Sequence, residues 1–189
     1  FGGTSAGGFA VVRHCNPVGQ RLFQWLPSLA RFSCIVESGV FLDMPTPANE
    51  PVMRSCFHTL LRQHEAGPPG PCSPSDPSSP ECFMPQYAVP RIRYPFFVLQ
   101  NVYDTWQAKF LGHKQLCAKV HRFHAQVLQV LGATQPPNGL FTLGCWSHSI
   151  PQSAYKAVAG EVFQWYARNK TVHVFAPPFP KDRLCATGK

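Results

Sequence analysis

The chain has 189 residues, of which 44% are hydrophobic and 13% aromatic, a composition that is typical of one globular domain and excludes a disordered protein. It contains no uninterrupted apolar run of about 18 residues, so we expect no membrane-spanning helix. The formal net charge is +8, an excess of basic residues that would attract a polyanionic partner.

The first ten residues, FGGTSAGGFA, contain the pattern G-x-S-x-G centred on Ser5. In this pattern a serine occupies a tight turn between a strand and a helix, where the backbone packs closely and small neighbours are required. The same letters also occur in ordinary glycine-rich loops, so the pattern alone leaves a nucleophile and a loop as alternatives. We expect a strand directly before Ser5 and a helix over residues 6–12.

Beyond this turn, short apolar runs alternate with amphipathic ones. Strands are predicted at 32–36, 94–100 and 140–143, and helices at 52–63, at about 116–131 and at 154–168. Residues 67–80 are rich in proline, serine and glycine and are predicted to form a loop within a single domain. Strands that alternate with helices predict an α/β fold with a mostly parallel sheet flanked by helices.

Three side chains follow the ends of predicted strands. Ser5 follows the first presumed strand, Asp104 follows the strand at 94–100, and His148 follows the strand at 140–143. Functional residues collect beyond the carboxyl ends of parallel strands, and the chain order Ser, Asp, His is that of α/β-hydrolases. Imidazole accepts a serine proton near neutral pH, and a carboxylate orients the imidazole. The pattern predicts a triad with Ser5 as nucleophile, although each residue alone has an ordinary structural explanation.

The eight cysteines indicate disulfides rather than a metal site. None stands in a C-x-x-C pair, which argues against a zinc ribbon or a thioredoxin-like site and favours an oxidising compartment. A disulfide between Cys72 and Cys82 would order the proline-rich loop. Asn169 begins the glycosylation sequon Asn-Lys-Thr, in agreement with secretion. No residue grouping has metal-ligand spacing and no phosphate-binding or dinucleotide fingerprint occurs, so we expect neither metal nor cofactor.

The charge is concentrated in the second half of the chain. Residues 1–90 carry five arginines against six acidic residues, whereas residues 91–189 carry twelve basic residues against three acidic ones. A basic half attracts nucleic acid, an anionic membrane or an acidic polysaccharide. No nucleic-acid-binding motif is present, so we expect no nucleic-acid partner. A solvated basic surface without any ligand remains the alternative.

Five collinear segments carry a resemblance that covers nearly the whole chain. They are Gly3–Gly8, Glu37–Asp43, Cys82–Tyr87, Asn101–Gln107 and Gly144–His148. Together they resemble the pectin acetylesterases and their animal relatives, the Notum-type carboxylesterases. The resemblance implies an α/β-hydrolase-like fold, secretion, disulfides and a triad that matches Ser5, Asp104 and His148.

The chain departs from the family pattern in two places. The family has Asp where this chain has Glu37, and it carries a glycine-rich segment ending in Trp-Cys, well before the nucleophile, that supplies oxyanion-hole amides. These 189 residues contain no such segment. One expected donor is the backbone N–H of Ala6. We therefore interpret the chain as the carboxyl-terminal part of an esterase that lacks its amino-terminal strands, and we expect this segment alone to be poorly active.

The motifs Tyr-Asp-x-Trp-Gln and Cys-Phe-x-Pro-Gln-Tyr are more similar to the plant-type pectin acetylesterases than to the Notum branch. The predicted function is removal of acetyl groups from pectin, an acidic polysaccharide, by a monomer that is secreted or located in the cell wall. The alternatives are a Notum-type fatty-acyl carboxylesterase and an inactive secreted remnant or binding module. Trp106 and Trp146, each beside a triad residue, are expected either to stack on a sugar or to fill the core.

Overall fold

A computed structural model describes residues 1–64, 84–111, 125–127, 129–130, 138–177 and 181–185. Its strands are β1 (Gly2–Thr4), β2 (Cys34–Glu37), β3 (Phe96–Asn101), β4 (Gly139–Leu143) and β5 (Val172–Val174). They form one sheet in the order β1-β2-β3-β4-β5, and every pairing is parallel. The helices are α1 (Ala6–Trp25), α2 (Val52–Gln63), α3 (Pro85–Ala88), α4 (Thr105–Phe110) and α5 (Tyr155–Arg168), with 3-10 turns at Val89–Arg91 and Gln152–Ala154. The predicted α/β class and parallel sheet are confirmed.

The two central strands, β3 and β4, are buried along their whole length. Strands covered by helices on both faces are apolar without alternation, which is why their sequences made these strands the clearest to predict. The outer strands β1 and β5 have three residues each. No strand was predicted at β5, because three residues are too few to show a periodic pattern.

Helices pack against both faces of the sheet. Successive residues of a strand point to opposite faces, so each strand contributes side chains to both helical layers. Val98 of β3 lies in one apolar cluster with Val12 of α1. Its neighbour Leu99 lies in a second cluster, with Trp165 of α5. The architecture therefore has three layers, with the sheet in the middle.

Helix α1 is longer than predicted. It extends past the expected end at residue 12 to Trp25 and contains Pro17. An interior proline lacks the N–H for one helical hydrogen bond and usually bends or ends a helix. Here a disulfide joins Cys15, two residues before the proline, to Cys34 of β2. Both cysteines are fully buried. The disulfide therefore joins the helix to the sheet close to Pro17, where one helical hydrogen bond is missing.

Some sequence predictions fall outside the described residues. They are the loop at 67–80, the Cys72–Cys82 disulfide and most of the helix expected at 116–131. Among the described cysteines, two pairs form disulfides, Cys15–Cys34 and Cys145–Cys185, and Cys56 is free. No helix in the described part of the chain has the length and apolar character that crossing a membrane requires.

Candidate active site

Ser5 occupies a strained turn between β1 and α1. Its backbone dihedrals are φ 56° and ψ −120°, in a region that residues other than glycine rarely adopt. The backbone N–H of Ser5 donates to the carbonyl oxygen of Glu37 at 2.9 Å, which holds the turn against β2. The G-x-S-x-G pattern is therefore a strand-turn-helix elbow in this protein and not a glycine-rich loop.

Two glycines allow the elbow to close. A Cβ atom on Gly3 would lie 2.5 Å from the carbonyl carbon and oxygen of Gly7, and one on Gly8 would lie 2.6 Å from the carbonyl oxygen of Glu37. Both distances are far below van der Waals contact, so any side chain at Gly3 or Gly8 would force the strand and the helix apart. A Cβ on Gly7, in contrast, would meet nothing within 4 Å, so Gly7 lies on the open side of the turn.

The structure brings Ser5, His148 and Asp104 together at the carboxyl edge of the sheet. His148 Nε2 lies 2.7 Å from Ser5 Oγ, and His148 Nδ1 lies 2.7 Å from Asp104 Oδ2. An ionised carboxylate only accepts hydrogen bonds, so the imidazole proton lies on Nδ1 and is donated to Asp104. Nε2 then has a free lone pair that accepts from the Ser5 hydroxyl.

The Asp104 carboxyl group has no exposure to solvent. Burial raises the pKa of Asp104, because the charged form loses its hydration, and hydrogen bonds from the Gln107 backbone and from His148 lower it in part. Oδ1 accepts from the Gln107 N–H at 2.9 Å, which makes Asp104 the N-cap of α4. Oδ2 accepts from Gln100 Nε2 at 3.4 Å in addition to His148. Both oxygens therefore have donors that fix the orientation of the carboxyl group.

Two buried glutamines connect the Asp104 loop to the loop after β2. Gln107 Oε1 accepts from the Leu42 N–H at 2.9 Å, and Gln107 Nε2 donates to the Val40 carbonyl at 2.9 Å. Gln100 Oε1 accepts from the Val40 N–H at 3.2 Å. Neither glutamine was assigned a role from the sequence. A signal was available for Gln100, a polar residue at the end of an otherwise apolar strand.

The loop that carries His148 is held at its two ends. On one side, Asn101 Nδ2 donates to the Ser149 carbonyl at 2.9 Å. On the other, the Gly144 N–H donates to Asp182 Oδ2 at 2.6 Å, and the next residue, Cys145, is bonded to Cys185. The carboxyl-terminal segment thus fastens the loop to the rest of the structure.

Cys145, Asp182 and Cys185 are the one group of potential metal ligands within the described ranges. The two sulfurs are bonded to each other and have no thiolate to offer a metal. The Asp182 carboxylate accepts from two backbone N–H groups, those of Gly144 and Leu184. These residues form a structural clamp, which we name the Asp182 clamp.

Ala6 is the first residue of α1 and directly follows Ser5. The first hydrogen bond of the helix runs from the Phe9 N–H to the Ser5 carbonyl at 2.9 Å, so the Ala6 N–H has no partner within the helix. The amino terminus of a twenty-residue helix also carries a partial positive charge. Ala6 therefore places a backbone donor that has no partner within the helix beside Ser5, at a positive helix end.

The remaining predicted site residues lie at the surface. Trp106 is 41% exposed and Trp146 36% exposed, so neither fills the core. The Trp106 ring centroid lies 6.2 Å from that of His148, and the Phe41 centroid lies 6.3 Å from it. Asn169 is exposed, in the left-handed conformation that ends α5, so its sequon is at the surface.

Comparison with known proteins gives relatives over the whole described fold. Pectin acetylesterase 5 of Arabidopsis thaliana is 26% identical over 97% of this chain and 50% of its own length. Pectin acetylesterase 11 of the same plant is 28% identical over 80% of this chain and 44% of its own length. The chain spans about half the length of the curated relatives it matches.

Solved structures with the same fold include two crystal forms of the Wnt deacylase Notum from Drosophila. They superpose with TM-scores of 0.68 and 0.70, at 16% and 18% identity, over 98% of this chain and 59% and 58% of theirs. This likeness establishes an α/β-hydrolase-like fold. A sequence model of the family named pectinacetylesterase matches residues 1–186, and the chain therefore belongs to the pectinacetylesterase family.

Proposed function

We propose that the protein is a serine carboxylesterase in which Ser5, His148 and Asp104 form the catalytic triad. The observation that carries this proposal is the unbroken chain of contacts from Asp104 Oδ2 through both His148 nitrogens to Ser5 Oγ, with 2.7 Å at each contact. A serine hydroxyl is a weak nucleophile until a base takes its proton. This chain supplies the base and the group that orients it.

The proposed reaction has two halves. Ser5 Oγ attacks the ester carbonyl carbon while His148 Nε2 takes the hydroxyl proton, and the Asp104 carboxylate stabilises the resulting imidazolium. The imidazolium returns this proton to the departing alcohol oxygen, which leaves the acyl group on Oγ. A water molecule then attacks the acyl-enzyme while Nε2 takes its proton, and the imidazolium returns this proton to Ser5 Oγ as the bond to the acyl carbon breaks and the carboxylic acid leaves.

The negative charge that develops on the carbonyl oxygen needs hydrogen-bond donors. We assign one of them to the Ala6 N–H, which is unpaired in the helix and lies at its positive end. A single donor of this kind typically contributes about 10² to 10³ in rate.

We propose that the substrate is an acetyl ester of pectin, and that the protein acts as a monomer outside the cell or in the cell wall. The curated relatives are pectin acetylesterases, and residues 91–189 carry twelve basic residues against three acidic ones. Such a charge excess raises the encounter rate with a polyanion. The two disulfides and the exposed Asn169 sequon support an extracellular location. The triad chemistry needs no metal or cofactor.

The test is acetate release from acetylated polygalacturonate by protein expressed from its full coding sequence, beside a Ser5→Ala variant. We expect the variant to lose on the order of 10⁴-fold or more in kcat. Activity on the polymer should fall with added salt, whereas activity on a small neutral acetyl ester should stay constant, because salt screens only the attraction between charges. Full activity in Ser5→Ala would overturn the triad. A folded protein inactive on both substrates would favour a binding module.

A second candidate, a fatty-acyl carboxylesterase, is favoured by the aromatic wall of the site. Phe41, which is 4% exposed, has its ring nearly parallel to that of His148 and packs near Phe9 and Phe57. A series of nitrophenyl esters of increasing chain length separates the two functions. Transition-state binding that improves by about 0.8 kcal/mol per methylene would favour the fatty-acyl function. A preference for acetyl would favour pectin.

A further inference from the structure

Helix α4 presents three exposed side chains next to the candidate triad: Trp106, Lys109 and Phe110. They are spaced by three and four residues, which places them on one face of the helix. The opposite face carries Gln107 and Ala108, which are buried. We call the three exposed residues the α4 surface. The helix follows directly from Asp104, so this surface lies beside the site and not elsewhere on the sheet.

The two aromatic rings of the α4 surface are stacked on each other. The centroids of Trp106 and Phe110 lie 5.2 Å apart, with ring planes 16° from parallel, yet the residues remain 41% and 36% exposed. Trp106 also contacts the buried ring of Phe41, with centroids 5.0 Å apart, and its own centroid lies 6.2 Å from that of His148. Neighbours on two sides hold the indole in place while part of it faces solvent. A preordered, exposed aromatic surface beside a polar site is suited to an amphipathic ring.

The charges around this surface favour an anionic ligand. Lys109 is exposed, and no acidic side chain in the described part of the chain forms an ion pair with it. The carboxylate of Asp43 is paired with Arg54, and that of Asp104 is buried against His148. The carboxylate of Glu37, at the elbow, is also engaged, since it accepts a hydrogen bond from Thr4 Oγ1 at 3.0 Å. The α4 surface therefore combines an apolar platform with a cation.

We propose that Trp106, Phe110 and Lys109 form a binding subsite for one uronic acid ring of an acidic polysaccharide. Because the two rings cover each other's inner faces, the apolar face of the sugar packs on the outer face of the Phe110 ring and against the exposed edge of Trp106, and its carboxylate meets the Lys109 ammonium group. This inference rests on the proposed function, because the subsite binds the sugar ring next to the one whose acetyl ester is cleaved. It also explains why large aromatic side chains remain exposed on a helix that is otherwise packed into the core.

The kinetic test compares three substrates: acetylated polygalacturonate, acetylated xylan as a neutral polymer, and nitrophenyl acetate as a small neutral ester. We expect Lys109→Gln to raise KM for the polygalacturonate about twofold to fivefold, with no change for xylan. Trp106→Ala and Phe110→Ala should raise KM for both polymers about fivefold to tenfold. Lys109→Gln and Phe110→Ala should retain wild-type activity on nitrophenyl acetate, whereas Trp106→Ala is compared only between substrates, because its ring lies next to His148.

Matched controls come from α5 and from Lys170, two residues beyond its end, because α5 leads from the carboxyl ends of the strands, where the site lies, toward their amino ends. Phe163→Ala removes an exposed aromatic side chain and Lys170→Gln removes an exposed cation. Neither should change KM for any substrate. Equal effects of the control and α4 variants would show a general charge or solubility effect and would overturn the subsite.

A binding measurement separates this inference from the proposed function. Unacetylated polygalacturonate is titrated into Ser5→Ala protein, with and without the Lys109→Gln and Trp106→Ala changes. Weaker binding in both double variants supports the subsite even if no turnover is found. Unchanged binding overturns the subsite, and it does so without affecting the triad if the wild-type protein hydrolyses nitrophenyl acetate.

Discussion

The loop that carries Asp104 and the loop that carries His148 are fixed by different kinds of interaction. Asp104 lies in a buried network in which the side chains of Gln100 and Gln107 bind backbone groups of the loop after β2. The His148 loop is attached to the carboxyl-terminal segment by the Asp182 clamp, which consists of the Cys145–Cys185 disulfide and the Asp182 carboxylate. The first arrangement is noncovalent and joins two loops, whereas the second is partly covalent and joins one loop to the carboxyl-terminal segment.

This difference predicts different consequences of damage. In a buried polar network, removal of a hydrogen-bonding partner leaves other groups unsatisfied, so stability and geometry fail together, whereas replacement of a buried charge by a neutral group of the same shape removes its desolvation cost and can spare stability. A disulfide acts mainly on the unfolded chain, and the hydrogen bonds beside it act on the position of the loop. The following substitutions test whether the Asp104 loop is the more sensitive of the two.

The largest effect is expected for Asp104→Asn. The activity should fall on the order of 10⁴-fold, because an amide leaves the imidazole in the wrong tautomer. Stability should behave differently. The folded state raises the pKa of Asp104, so it binds the proton more tightly than the unfolded chain, and the ionised carboxyl opposes folding above the folded-state pKa. Asn is an equally good N-cap. We expect the variant to be more stable than wild type at pH 7, with a smaller gain toward acidic pH.

Urea unfolding at pH 7 and at pH 4 measures this prediction, with activity recorded on the same samples. A variant that is less stable than the wild type at neutral pH would show that the hydrogen bonds to the carboxylate outweigh its desolvation.

A smaller effect, on stability and activity together, is expected for Gln107→Leu. The substitution leaves the Leu42 N–H and the Val40 carbonyl buried without partners, at about 1–3 kcal/mol for each group. We expect the free energy of unfolding to fall by about 1–3 kcal/mol for each of these two groups. We expect kcat to fall as well, because α4 and Asp104 shift together. The control is Gln20→Leu on the exposed face of α1, which should change stability by less than about 0.5 kcal/mol. Loss of stability with unchanged kcat would show that Asp104 is positioned independently of Gln107.

The smallest effect is expected at the other loop, for Asp182→Ala. The Gly144 N–H loses its acceptor, but the disulfide still fastens Cys145. We expect kcat to fall by about tenfold and KM to stay constant, because a small displacement of a catalytic group lowers the rate without affecting substrate binding. Asp182→Asn keeps one acceptor oxygen and should restore part of the rate, and Lys181→Ala is the matched exposed control. A loss as large as that in Asp104→Asn would contradict the proposed difference between the loops.

Much of the fold could be predicted from the sequence because its signals are local. Continuous apolar runs indicated β3 and β4, and the amphipathic period indicated α2 with the same bounds, Val52–Gln63, that the structure has. The order of Ser5, Asp104 and His148 after strands predicted which side chains would meet, since the carboxyl ends of parallel strands share one edge of a sheet. These inferences need only the periodicity of apolar residues along the sequence and the order of the strands.

Other features were decided by tertiary contacts between residues far apart in the chain. Gln107 binds Val40 and Leu42, and Asp182 binds Gly144, across separations that no local pattern records. The continuation of α1 through Pro17 accompanies a disulfide to β2. The exposure of Trp106 likewise follows from which face of α4 the core covers. The sequence by itself therefore determined the fold class and the predicted triad positions, whereas only the folded chain decided how those positions are held.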